Sequence, residues 1–177
     1  MKRFALAVIF CLLLPALAFA WDGTVTKIHD GDTITVRAVP DGRQVKVRLW
    51  GIDCPEYRQA YGKEATEFIR KLLPVGITVS VEDRDKDRYK RTEGIVRLPD
   101  GKIAQETLLK AGLTWVYRKY CKDCGNWYEL EEEARKAKRG LWQDESTVPP
   151  WEWRKQERKG SGRALPFGAR PPSHKVF

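Results

Sequence analysis

Apolar and polar residues alternate through three consecutive stretches near the front of the chain, 25–29, 33–39 and 44–50. Ile34, Val36 and Ala38 alternate with more polar neighbours, as do Val45, Val47 and Leu49, which is the period-2 pattern of half-buried β-strands. Pro40-Asp41-Gly42 joins the second strand to the third; proline presets φ and glycine tolerates φ > 0, so this is a turn. The period then changes. Ala65, Phe68, Ile69, Leu72 and Leu73 recur at helical spacing until Pro74 stops them. Ile77, Val79 and Val81 restore the strand pattern, Gly94 to Leu98 falls in a fifth strand, and Pro99-Asp100-Gly101 repeats the turn chemistry. Ala104, Leu108 and Ala111 share a helix face that Gly112 ends, and Trp127, Leu130, Ala134 and Ala137 form an apolar stripe between Asn126 and Arg139. Acidic residues open that last helix and basic ones close it, which suits the helix dipole. Glu131 with Arg135, and Glu132 with Lys136, read as structural i,i+4 pairs.

Three strands, a helix, two strands and two helices predict an α+β fold, a five-stranded OB-fold β-barrel with three helices. Such barrels often hold nucleic acid or sugars, but a fold alone does not settle function.

The flanks read differently. Lys2 and Arg3 precede an apolar run, Phe4 to Leu14, too short to span a bilayer; Pro15 breaks it, and Ala18-Phe19-Ala20 places small residues where a signal peptidase reads. Residues 1–20 are therefore expected to be a signal peptide cleaved near Ala20, with export to the periplasm or the medium; an uncleaved membrane anchor is the alternative. Residues 21–142 form the expected domain. Residues 143–177 carry Pro149-Pro150, Gly160-Ser161-Gly162 and Pro171-Pro172 and read as a mostly disordered basic tail, from which Trp151 and Trp153 can dock on the domain. A monomer with no stable protein partner, and no membrane contact after cleavage, is expected.

Composition narrows the partners. A formal net charge of +9 without a further apolar span suggests a polyanion: nucleic acid, anionic lipid or cell-wall polymer. Beyond residue 20 the cysteines are Cys54, Cys121 and Cys124, an odd number that predicts one bridge and one leftover thiol in an oxidising compartment. Which two pair is left open. Cys121-x-x-Cys124 lacks a second ligand pair for zinc and a βαβ context for redox work.

The candidate chemistry lies in His29-Asp30-Gly31-Asp32-Thr33, in Arg48 to Glu56, and in Asp87 to Arg91. Singly, each has a bland reading: a tight turn, a surface ion pair, a solvated acidic loop. Together they say more. Val47 and Leu49 face one side of their strand, so Arg48 faces the other. Asp53 and Glu56 follow on a loop stiffened by Pro55. If the first hairpin leaves Asp32 beside that loop, three carboxylates share one small volume and repel. A hard divalent cation relieves the repulsion, and oxygen ligands without imidazole or thiolate favour calcium over zinc.

With Asp-Gly-Asp-Thr, Arg-x-x-x-x-Asp-x-Pro-Glu and a downstream Tyr-x-Arg in order, the chain resembles the thermonuclease (micrococcal nuclease) family from about Trp21 to Trp142. The resemblance implies a calcium-dependent nuclease that cuts DNA and/or RNA and leaves 3′-phosphate ends. It implies that Asp32, Asp53 and the backbone carbonyl of Cys54 bind Ca2+, and that Glu56 activates the attacking water. Arg48 and Arg91 would grip the scissile phosphate, and Tyr89, Trp115 and Tyr117 match nucleotide-pocket positions. Trp115 reads equally well as aromatic core. Cys54 stands where the family's best-known member has threonine; a bridge from Cys54 to Cys121 or Cys124 would tether the active-site loop. The stretch from Tyr57 to Tyr61 is shorter than in that member, which bears on substrate preference. The alternative function is a non-catalytic OB-type module that binds single-stranded nucleic acid.

Overall fold

Strand pairing follows the alternation. In the computed structural model, which describes residues 20–160 apart from 40, 88, 90 and 123, the strands are β1 (Ala20–Ile28), β2 (Thr33–Ala38), β3 (Gln44–Leu49), β4 (Ile52–Asp53), β5 (Thr78–Lys86), β6 (Thr92–Arg97) and β7 (Trp115–Val116). Five of them close a barrel in the order β1-β2-β3-β6-β5, and β4 pairs with β7 in a separate two-stranded sheet. Every barrel contact is antiparallel except β3 with β6, which is parallel. Closure leaves the barrel no open edge. The predicted OB-type barrel is the observed one.

The apolar members of each alternation fill the interior. Val25, Ile34, Val36, Val47, Leu49, Val81 and Val96 are all fully buried. Gly94 on β6 lies where an added Cβ would stand 2.9 Å from Val81 Cγ1, so only glycine lets β5 and β6 approach there. Helix α1 (Gly62–Leu72) buries Ala65 and Ile69, and α2 (Ala104–Ala111) buries Ala104 and Leu108. Gly112 ends α2 at φ 68°, the left-handed cap expected of it. Helix α3 (Trp127–Lys136) buries Trp127, Leu130 and Ala134.

One expectation changes on α3. Glu132 does pair with Lys136, at 3.8 Å. Glu131 instead turns inward, buried, and accepts the backbone N–H of Val116 at 2.9 Å, fastening α3 to β7. Burial pushes its carboxyl pKa up, partly offset by the Val116 hydrogen bond.

The tail departs further from expectation. Residues 150–160 form a fourth helix, α4 (Pro150–Gly160), within the stretch read as disordered. Pro150 is a pre-set first residue, Glu152 sits in the first turn, and Arg158 and Lys159 sit in the last. Trp151 anchors the helix by stacking on Tyr117, ring centroids 5.2 Å apart and 20° between planes. The rest of the tail, from 161, and the proposed signal peptide apart from Ala20 lie outside the described residues. Ala20 itself begins β1, opposite Glu82. Among the described residues no helix is long and apolar enough to cross a membrane.

Cys121 and Cys124 form the disulfide. Cys54 is buried and unbridged. The tether from Cys54 is therefore ruled out.

Candidate active site

The register of the second hairpin builds the first half of the site. Thr33 stands opposite Arg48 in the β2–β3 ladder, so Asp32, one residue earlier, ends beside the Arg48 guanidinium. Arg48 Nη1 pairs with Asp32 Oδ1. Asp32 is only 2% exposed; its Oδ2 accepts the backbone N–H of Cys54 at 2.7 Å, and its Oδ1 the Thr33 hydroxyl at 3.2 Å. A Cβ on Gly31 would lie 2.9 Å from the Cβ of Cys54 and 3.0 Å from that of Ala65. Glycine in the Asp-Gly-Asp turn thus lets the hairpin lie directly on the Cys54 loop.

Asp53 is brought in by the small sheet. In the β4–β7 ladder Ile52 pairs with Val116 and Asp53 with Trp115. Asp53 is fully buried, and its Oδ1 accepts Arg48 Nη2 at 2.6 Å. One guanidinium thus bridges Asp32 and Asp53 from the face of β3 opposite Val47 and Leu49. Glu56 follows on a turn closed by Gln59: the Gln59 backbone N–H donates to the Glu56 carbonyl at 2.8 Å, and the Glu56 N–H donates to Gln59 Oε1 at 3.1 Å. Gln59 Nε2 also donates to the Val148 carbonyl, which ties this turn to the segment leading into α4.

The sequence reading missed the residue that closes the site. Arg154, on α4, sends Nη2 to Asp53 Oδ2 at 2.6 Å and Nη1 to Glu56 Oε1 at 2.7 Å and Asp53 Oδ1 at 3.2 Å. Burial works against its charge, but the hydrogen bonds and charges of Asp53 and Glu56 prevail and push its pKa up. Only the helix left a trace: after Pro149-Pro150, Glu152 and Arg158 suit the two ends of a helix, but no spacing ties Arg154 to Asp53 or Glu56.

Asp32, Arg48, Glu56 and Arg154 line one cleft of about 630 Å³, with Arg91, Tyr89, Glu93, Tyr117, Tyr120 and Lys119 on its other walls; Asp53 lies buried behind Arg48 and Arg154. Arg91 is held by Asp87, Nε at 2.7 Å and Nη2 at 2.6 Å, and lies 5.5 Å from the Tyr89 ring centroid. Burial alone would raise the Asp87 pKa, but hydrogen bonds from the Arg91 backbone and side chain hold it below the ordinary carboxylate value. Glu93, a second residue the sequence reading missed, pairs in register with Arg48 across β3–β6. Burial, and then repulsion from Asp87, push its pKa up.

The expected pocket aromatics divide. Tyr89 and Tyr117 line the cleft, but Trp151 covers one face of Tyr117. Trp115 does not reach it. At 5% exposure it packs edge-on against Trp142 with centroids 5.5 Å apart, so its place is the aromatic core, and its backbone holds Asp53. Cys54 lies in the cleft wall, and burial pushes its thiol up to about 12.

The site's side-chain donors are carboxylates; the Cys54 thiol stays protonated, and Cys121 and Cys124 are bonded to each other. Oxygen donors without imidazole or thiolate suit calcium. A cationic nitrogen, Arg154 Nη1, already touches Asp53 and Glu56 together, so a positive charge fits between them. As the side chains stand, however, both Asp53 oxygens carry guanidinium, and no group of three acidic, histidine or cysteine side chains among the described residues is arranged to hold an ion.

A closed five-stranded barrel with a cleft of paired acids and guanidiniums is an OB-type scaffold. Comparison with known proteins gives the family. Residues 46–144 match the staphylococcal nuclease homologue family. An "Uncharacterized endonuclease" of Escherichia coli O157:H7 is 40% identical over 154 residues, covering 87% of this chain and 98% of that protein. A "Micrococcal nuclease" of Shigella flexneri is 36% identical over 170 residues, 91% and 95% of the two chains. "Staphylococcal-like nuclease CAN1" of Arabidopsis thaliana is 40% identical over 121 residues, but only 36% of its length is covered. The chain belongs to the staphylococcal nuclease homologue family.

Proposed function

We propose that this nuclease is exported, depends on calcium, and hydrolyses phosphodiester bonds of DNA and/or RNA to leave 3′-phosphate ends. The observation that supports the reading best is the gathering of Asp32 and Glu56 in one cleft with Arg48 and Arg91, with buried Asp53 bound to the Arg48 guanidinium beneath them. Asp32, Asp53 and the Cys54 carbonyl would hold the calcium, which when bound masks phosphate charge and orients water.

The chain's own residues do the rest. A phosphodiester is anionic, and a nucleophile approaches it only when that charge is screened. Arg48 and Arg91 would meet the phosphate oxygens with the guanidinium N–H groups they do not spend on Asp32, Asp53 and Asp87, several donors in one plane that lysine cannot copy. Glu56, whose side chain is 41% exposed, can meet a water at the cleft and take its proton as the oxygen attacks phosphorus. The P–O5′ bond breaks, the phosphate stays on the 3′ side, and the 5′ oxygen takes up a proton from solvent while Glu56 returns its own to solvent. General-base help of this kind contributes about 10²–10⁴-fold. Lys119, Arg154 and Arg158 add positive charge along the walls, which favours a polyanionic strand.

The test is digestion of plasmid and of RNA by the purified chain with calcium, with magnesium and with chelator, followed by end-group analysis. Calcium-specific cutting with 3′-phosphate ends is expected. Full activity in chelator, or 5′-phosphate ends, would overturn the corresponding part of the reading.

A further inference from the structure

The active site as it stands is over-supplied with guanidinium. Asp53, fully buried, already has Arg48 Nη2 at 2.6 Å, yet Arg154 arrives from about a hundred residues along the chain to occupy its second oxygen and to reach Glu56. We propose that Arg154 and a divalent ion compete for the Asp53–Glu56 pair, so that α4 sets the affinity for the ion. The inference rests on the calcium reading above and goes beyond it.

Three observations carry it. First, occupancy: with Arg48 on Asp53 Oδ1 and Arg154 on Oδ2, each Asp53 oxygen already carries a positive group, so an ion that approaches either one meets a guanidinium there. Arg48 is the harder to move, because it also bridges Asp32 from within the sheet and its side chain is 17% exposed, against 33% for Arg154. Second, charge: the carboxylates of Asp32, Asp53 and Glu56 nearly balance Arg48 and Arg154. Adding a divalent ion with both arginines in place leaves excess positive charge, whereas adding it as Arg154 departs balances the set. Third, freedom to move: α4 is fixed by the Trp151–Tyr117 stack and by Gln59 on Val148. Arg154 can therefore swing its long side chain into the open cleft while its helix stays docked.

The experiment is calorimetric titration of the full chain with Ca2+ alone, without nucleic acid, for the unaltered protein, Arg154→Gln and Lys155→Gln. Lys155 pairs with Glu152 on the same helix and controls for lost charge. Arg154→Gln should bind Ca2+ about tenfold more tightly than the unaltered protein, as expected if Arg154 leaves the pair open in roughly one molecule in ten. Lys155→Gln should match the unaltered protein. Equal or weaker binding by Arg154→Gln would sink the competition and leave the calcium reading standing; no Ca2+ binding by any of the three would sink both. A second measurement needs no variant. In the unaltered protein, the Arg154 guanidinium NMR signals should shift to solvent-like positions and exchange faster at saturating Ca2+, and unchanged signals would equally overturn the proposal.

Discussion

Gly62, the first residue of α1, packs its Cα directly against the backbone of Glu56, so that an added Cβ would collide with the Glu56 carbonyl oxygen. The start of α1 thus fixes the position of the loop bearing the acid. The Gly62 N–H donates to the Gln59 carbonyl at 3.0 Å, completing a tight Glu56–Gln59–Gly62 turn.

Gly62→Ala should therefore act on catalysis more than on folding. The methyl group must push the Glu56 turn outward, because its neighbour is backbone and cannot rotate away. A displacement near 1 Å costs on the order of 100-fold in rate, whereas the overpacking costs about 1–3 kcal/mol. Steady-state rates and urea unfolding of the same preparation separate the two. A variant that cuts normally would show that the Glu56 carboxylate need not be held in place.

Substitutions at the charged groups should divide by burial. Glu56→Ala and Arg91→Ala remove partly exposed side chains and are expected to lower turnover about 100-fold or more, the scale of losing one preorganised charge stabiliser, with circular dichroism unchanged. Arg48→Ala should lose at least as much activity and also stability. It strips the bridging guanidinium from two carboxylates that are each 3% exposed or less, and breaking a buried pair typically costs about 3–5 kcal/mol. Near-normal turnover by all three would defeat the site assignment.

How far the sequence foretold this follows from the range of each interaction. Ile34, Val36, Val47 and Leu49 are buried because a strand's side chains alternate, so local pattern was enough, and the same rule placed Arg48 outside the barrel core. The β4–β7 ladder joins Asp53 to Trp115 over two residues per strand, too short to leave any periodicity. Trp115 therefore looked as much like a base-stacking residue as the core residue it is. Arg154 was invisible for a different reason. Its helix is polar, sits among prolines and lysines, and makes sense only against Tyr117 and Asp53, far away in the chain. Motif spacing located the acids, but nothing local reported the cation lying on them.

Trp115→Ala and Tyr117→Ala should then behave oppositely. Trp115 is buried against Trp142, so its truncation is expected to cost about 3–5 kcal/mol of stability, seen as a lowered urea midpoint. Tyr117→Ala should leave stability less affected, release Trp151, and raise KM for nucleic acid. A stable Trp115→Ala protein with a raised KM would restore Trp115 to the substrate pocket.

Cys54 makes an alkaline prediction with a definite sign. Its folded thiol sits at about 12 because burial disfavours the thiolate, against an ordinary value of 9.0. Between those values the unfolded chain has lost the proton and the folded chain keeps it, so stability falls as pH rises, by about 1.4 kcal/mol per pH unit above pH 9. Below pH 9 both states hold the proton and the effect vanishes. The stability difference between the unaltered chain and Cys54→Ala, measured by urea unfolding without reductant, should shrink at that rate above pH 9. The native thiol should also resist alkylation at pH 8 and react once the chain is unfolded. Rapid native labelling would mean that the loop beneath Asp32 opens readily.

Arg158 offers the last test, one of substrate binding rather than chemistry. It stands one turn beyond Arg154 on α4 and lines the same cleft, outside the acid cluster. A phosphate contact releases a counterion, so losing one should flatten the dependence of log K on log salt by about one unit. Arg158→Ala is accordingly expected to raise KM and reduce the salt slope while kcat stays the same, because Arg158 does not touch Asp32, Asp53 or Glu56. Lys159→Ala, the next position along the helix, should do neither if the effect comes from the cleft-facing side of α4. Equal effects at both positions would reduce α4 to a diffuse positive charge, and a fall in kcat at Arg158→Ala would place that guanidinium at the scissile phosphate itself.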